Sequence, residues 1–374
     1  MKTLAFSFAG VMGLLALIVT WVAIGGDPLG GEPFAMIEVD PQNRPSAIVE
    51  SSIPKDQSQS QSQVERGSNQ APGTGGALAA LDRSAPNGPV SDATGTPGAG
   101  TGMSTVPVAA LVEQSRYGPL PKIADDGRRP SDIYARATQH TALPQAGEPA
   151  RIAILMNGLG LSELATNQAI NMLPGNVSLA FSPYGRNLQS WIRLSREAGH
   201  EVMLQIPLEP FDYPDNDPGP HTLLTNLPPD ENLKRLQWLM ARFTGYVGVT
   251  NHMGAKFVSA QSAFLPVLEE IKSRGLIFLD DGTAARSTAG EIAKDLGLGF
   301  SAAQIVIDAA QTPESIDEAL KNLETTAREN GLAIGVASSY PITIQRISEW
   351  SRSLSQKGMV LVPVSAAIRA RPQS

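Results

Sequence analysis

The chain has 374 residues, 42% of them hydrophobic and 5% aromatic, with 29 Lys plus Arg against 36 Asp plus Glu. A net charge of −7 argues against a protein that tracks nucleic-acid phosphates, which needs a basic face. With no cysteine, disulfide frameworks, Cys-ligated zinc, iron–sulfur clusters and thiol nucleophiles are all excluded.

Leu4 to Ile24 is a run of 21 residues without a charge, preceded by Lys2. At ~1.5 Å per residue it spans the ~30 Å of a bilayer core. It is predicted to be a single-pass signal anchor in the inner (cytoplasmic) membrane, over residues 1–26, with the rest of the chain on the periplasmic side. A cleaved signal peptide fits less well. Its apolar region is usually ~7–15 residues long, and Trp21-Val22-Ala23 is a poor small-x-small site.

Residues 27–148 are predicted to be a disordered linker. Asp27 to Ala150 holds 29 Gly plus Pro in 124 residues, against 31 in the 224 residues that follow. Gln57 to Gln63 reads QSQSQSQ, and such stretches bury too little apolar area to offset chain entropy. At ~5–6 Å × √n, a flexible chain of about 120 residues reaches roughly 60 Å. Short helices within 104–140 are compatible with this composition, and Tyr134 is placed to dock on the domain that follows.

From residue 149 to 370 strands and helices alternate. Strand-like apolar runs fall at 152–156, 177–181, 202–206, 247–249, 276–279, 305–307, 333–336 and 360–364. Amphipathic helical stretches fall at 163–172, 188–198, 230–243, 263–273, 313–330 and 342–357. Several are followed by Gly, the expected left-handed cap (Gly199, Gly245, Gly275, Gly331, Gly358). Apolar strands separated by helices mean a parallel sheet covered by helices. Seven or eight such units favour a closed or nearly closed (β/α) barrel over an open doubly wound sheet.

Chemistry in such barrels sits where strands run into βα loops. Reading those ends in order gives Asn157-Gly158, then Ser182, then Gln205 with Glu209, then Asn251-His252, then Asp280-Asp281. Asp308 and Ser338 follow. Asp308 alone reads as ordinary rim polarity, whereas His252 and Asp280 together suggest a pocket. The segment Asp212 to Leu224, DYPDNDPGPHTLL, is long and rich in Pro and acids. It is predicted to be an ordered binding loop, with Asp215, Asp217 and His221 as its polar candidates. Trp191, Trp238 and Trp350 read as packing residues, and His200 as a helix-end cation. Gly158-Leu159-Gly160 mimics the start of a dinucleotide fingerprint, but the third Gly is missing and no acid follows the second strand. No P-loop and no Gly-x-Ser-x-Gly elbow is present.

Six segments in order, RIAILMNGLGLS, LPGNVSLAFSPYG, AGHEVMLQIPLEPFDYPDNDPGPHTLL, GYVGVTNHMGAKF, RGLIFLDDGT and GMVLVPVS, resemble the divergent polysaccharide deacetylases, relatives of the NodB-type carbohydrate esterases. The resemblance covers roughly residues 151–367. It implies a distorted (β/α) barrel, an envelope location and a carbohydrate partner such as an envelope polysaccharide or peptidoglycan. In the wider superfamily an Asp and two His hold a divalent metal, a second Asp is the base, and a His is the acid. This sequence departs at those places. The first strand ends in Asn157-Gly158 where two aspartates are usual, Gln205 stands where relatives often have His, and Ser338-Ser339-Tyr340 carries no His. Two functions remain open: a glycan-binding protein that has lost catalysis, or a deacetylase with an altered metal site, a divalent ion such as zinc on His252, Glu209 and Asp280.

Overall fold

A computed structural model describes residues 103–140 and 143–370. The predicted anchor, and all of the predicted linker before residue 103, lie outside the described residues. Among the described residues no helix is long and apolar enough to cross a membrane.

The first described segment carries a two-stranded antiparallel hairpin, β1 (Val112–Ser115) and β2 (Gly118–Pro121), and a short helix α1 (Pro130–Ile133). Leu111, Leu120 and Tyr134 are buried against the body of the domain. Residues 103–140, read from composition as the end of the linker, are therefore part of the folded domain. The spacing of these few apolar anchors is too irregular to register as a helix or strand period.

The body then alternates: β3 (Ala150–Leu159), α2 (Glu163–Met172), β4 (Ser178–Phe181), α3 (Leu188–Glu197), β5 (Val202–Leu208), α4 (Pro229–Met240), β6 (Gly248–Met253), α5 (Ala255–Val258) and α6 (Gln261–Ser273). It continues with β7 (Ile277–Asp280), α7 (Ala289–Leu296), β8 (Phe300–Ala302), β9 (Ile305–Val306), α8 (Pro313–Asn330), β10 (Leu332–Ser338), α9 (Pro341–Ser351), β11 (Met359–Leu361) and α10 (Val364–Ala370). Local chemistry sets several boundaries. Ser162 and Thr312 cap α2 and α8 by accepting from the amides of Ala165 and Ser315. Gly331 closes α8 at φ +74°, where any other residue is strained. Gly245 follows α4 only after four further residues, so it turns the chain into β6 instead of capping the helix.

Strands β3 to β11 form one nine-stranded parallel sheet in the order β8-β7-β6-β5-β4-β3-β10-β9, with β11 beside the start of β3. This is a parallel α/β half-barrel. Its edge strands β8 and β9 are separated in sequence only by Ala303 and Gln304. The Ala303 amide donates to Asp280 O at the end of β7, and the Gln304 amide donates to Ile334 O on β10. All eight predicted strands are present; β8, too short and mixed for a pattern, brings the count to nine.

Strand alternation sorts the core into two layers. Ile152, Ile154, Leu204 and Phe278 pack outward under the helices. Ala153, Leu155, Met203, Leu279 and Ile334 pack inward with Tyr134, Leu111 and residues of α10. The same parity fixes which residues at the strand ends face the interior.

Candidate functional site

A cavity of about 540 Å³ opens at the C-terminal ends of the strands. It is lined by Asn157, Gln205, Asn251, His252, Asp281 and Ser338 among the predicted residues, with Asp308, Thr283 and Ser339 added. Register brings them to one level: Asn157 pairs with Ser338 across β3 and β10, and His252 with Pro207 across β5 and β6.

The end of β3 is tied to both neighbours. The Gly158 amide donates to Gln205 Oε1 at 2.8 Å, and Ser339 Oγ donates to Gly158 O at 3.3 Å. Gly158 sits at φ +80°. Asn157 Oδ1 is buried with no hydrogen-bond partner. On the far side, the Asp281 amide donates to Asn251 Oδ1 at 2.9 Å, and Asn251 Nδ2 donates to Met253 O at 2.9 Å. These bonds hold Met253 at φ +57°, a conformation that costs a non-glycine residue about 1–2 kcal/mol.

The cavity holds two carboxyl groups. Asp281 Oδ1 accepts from the amide and hydroxyl of Thr283. Asp308 Oδ2 accepts from the Ser338 amide at 2.8 Å and Thr343 Oγ1 at 3.0 Å. Burial pushes both above the ordinary aspartate range despite these donors. His252 is solvent-exposed at the opening, yet the surrounding walls reduce hydration of its charged form and lower its pKa.

Other predicted residues do not enter the cavity. Asp280 falls on the opposite parity from Asp281. Its carboxylate accepts from the Gly282 amide and Ser287 Oγ and anchors the turn after β7. Glu209 accepts from Lys256 Nζ at 2.7 Å and from the Thr225 amide and hydroxyl at 2.6 and 2.7 Å. Burial works against its ionisation, but Lys256 and Thr225 outweigh it and hold its pKa below the usual range. The predicted metal set of His252, Glu209 and Asp280 is thus not assembled, because two of its three members are engaged elsewhere. Among the described residues no three His, Asp or Glu are grouped so that they could hold a metal ion. The donors at this site do not fit the superfamily's metal.

The predicted loop is ordered but turned to structural use. Asp217 Oδ1 accepts from the Gly219 amide at 2.9 Å, and Asp215 is exposed. His221 stacks on Trp238 at 3.6 Å between ring centroids, and its amide donates to Tyr184 Oη. His200, expected as a helix-end cation, is instead fully buried between Val177 O and Ile170 O, and burial lowers its pKa. Asp308, expected as ordinary rim polarity, lines the cavity. The inward parity shared by Leu279 and Asp281 was the available signal for choosing Asp281 over Asp280.

The sequence pattern of the divergent polysaccharide deacetylases matches residues 154–368. The chain belongs to this family. An uncharacterized protein from Agrobacterium tumefaciens C58, solved by crystallography, is 45% identical and aligns over 67% of this chain and 99% of its own, with a TM-score of 0.62. The uncharacterized protein YibQ of Escherichia coli K12 is 24% identical over 199 residues, 53% of this chain and 61% of its own length. An uncharacterized protein of Haemophilus influenzae is 22% identical over 207 residues, 55% of this chain and 72% of its own. The match therefore spans less than two thirds of the Escherichia coli relative.

Proposed function

We propose that this divergent polysaccharide deacetylase is a membrane-tethered glycan-binding protein of the cell envelope in which hydrolysis has been lost. The observation that carries the reading is the wiring at the end of β3. The two positions that supply acids in active superfamily members are an amide and a glycine, and the glycine amide is held by Gln205 Oε1. An amide cannot take a proton from water as a carboxylate base does. Removing such groups typically costs ~10²–10⁴ in rate each, while a cavity lined by hydrogen-bonding groups remains competent to bind.

The tether belongs to the same proposal. On this reading Leu4–Ile24 is the anchor, and a flexible chain of the length that precedes Met103, about 75 residues, would reach roughly 50 Å, enough for a membrane-held domain to meet a nearby polymer.

The test uses the full chain purified in detergent, with peptidoglycan and N-acetylated oligosaccharides as probes. Retention on the glycan with acetate release no faster than buffer is the expected result, with or without added zinc. Zinc-dependent acetate release that disappears in His252→Ala would overturn the proposal and establish the altered-metal deacetylase.

A further inference from the structure

The ligand class of the cavity can be read from what its polar atoms still lack. Asp281 and Asp308 are 7% and 6% exposed. Each has one carboxyl oxygen that accepts from two protein donors, and the Asn251 side chain also acts on the Asp281 carboxyl as a hydrogen-bond donor. Both residues line the cavity. His252 stands at the opening.

No Lys or Arg lines the cavity among the described residues. The lowering influences on the two aspartates are hydrogen bonds only, with no cation among them. Two buried carboxyl groups without a counter-charge are costly unless something neutralises them. The unfilled demand is for several donors and a positive charge, which an ammonium group meets and an acetamide does not. At the rim, Leu161 and Tyr340 are 63% and 41% exposed. They offer the apolar surface on which a sugar ring packs.

We propose that the cavity selects glycan carrying a free amine, a de-N-acetylated amino sugar, over the N-acetylated form, with Asp281 and Asp308 as the ammonium acceptors. This rests on the glycan-binding reading above and narrows it. A pocket of this composition would recognise the product of N-deacetylation made elsewhere. Binding of the ammonium would favour ionised Asp281 and Asp308, so complex formation would release protons to the buffer where the free carboxyls are partly protonated.

The test is isothermal calorimetry on the full chain in detergent, comparing glucosamine tetramer with N-acetylglucosamine tetramer at equal length. At least tenfold tighter binding of the amine form is expected. Asp281→Asn combined with Asp308→Asn keeps an acceptor oxygen for the Thr283, Ser338 and Thr343 donors. It should remove the preference while leaving a folded protein by circular dichroism. Spermidine serves as the control for charge alone. Equal or tighter binding of spermidine, or a preference that survives the double substitution, would overturn the assignment. So would a preference for the N-acetylated tetramer, in which case the glycan-binding reading stands without it. No binding of either tetramer by folded protein would overturn both.

Discussion

Arg196 is where the attachment of residues 103–140 to the domain can be tested. Its side chain lies on α3, is 3% exposed, and donates to Tyr134 O at 2.8 Å, Ser104 O at 3.0 Å and Gly245 O at 3.4 Å. The guanidinium also lies 5.2 Å from the Tyr134 ring centroid. Burial lowers its pKa from 12.5 to about 10, so it remains charged at neutral pH. Keeping that charge out of water costs roughly 3 kcal/mol. Against this, hydrogen bonds from a charged donor are worth ~1.5–3 kcal/mol each, and each buried carbonyl left unpaired costs ~1–3 kcal/mol. Arg196→Met keeps most of the stem and removes every donor. The balance predicts a loss of about 2–4 kcal/mol in urea unfolding, after allowing for the desolvation that is regained. Because two of the three acceptors belong to residues 103–140, limited proteolysis should cut this segment first in the variant and late in the parent. A variant within about 0.5 kcal/mol of the parent, with an unchanged cleavage order, would refute the reasoning and return the segment to the linker.

Two further outcomes follow from the acids near the site. Glu209→Gln removes a charged acceptor from Lys256 and Thr225 and should cost about 1–2 kcal/mol at pH 7. Since Glu209 titrates below its ordinary 4.5, its contribution is complete above that value. It is lost as pH falls through the lower folded pKa, so parent and variant should converge in acid melts. Asp308 has the opposite sign. Its folded pKa is raised, so its ionisation works against folding as pH rises from the ordinary aspartate range through the folded value. Asp308→Asn should therefore stabilise the protein by about 0.5–1 kcal/mol at pH 7 and have little effect at pH 3. A destabilised variant at pH 7 would mean that the carboxylate charge is satisfied by a group not identified in the cavity.

The sheet was legible because its strands are written in an unusually plain way. Residues 152–156, 202–206 and 333–336 are continuous apolar runs, and helices such as 163–172 and 313–330 have clear caps. What was not legible has equally physical causes. α7 follows the polar turn Asp281-Gly282-Thr283, and both it and β8 are too short to establish a period. Residues 103–140 depend on a few long-range anchors, chiefly Tyr134 and Arg196, with no local pattern. In the site, strand-end composition marked the right level of the barrel but not the right faces. Asp280 and Asp281 are chemically identical and adjacent. Only the alternation carried up from Leu279 distinguishes the one that faces the cavity from the one that pins the turn.

The geometry also explains why an amide and a glycine are tolerated at the end of β3. Ile152 to Met156 are fully buried and hold the sheet to both layers of core. Asn157 and Gly158, one residue beyond, contribute hydrogen bonds but little buried apolar area. Two aspartates there would add carboxyl groups to a cavity that already holds Asp281 and Asp308 with no cation to offset them. An amide and a glycine remove that repulsion, and Gln205 then joins β5 to the end of β3 through a neutral hydrogen bond. Substitution at these positions is therefore inexpensive for folding. The acids that remain are those with their own protein donors, and these leave the cavity acceptor-rich.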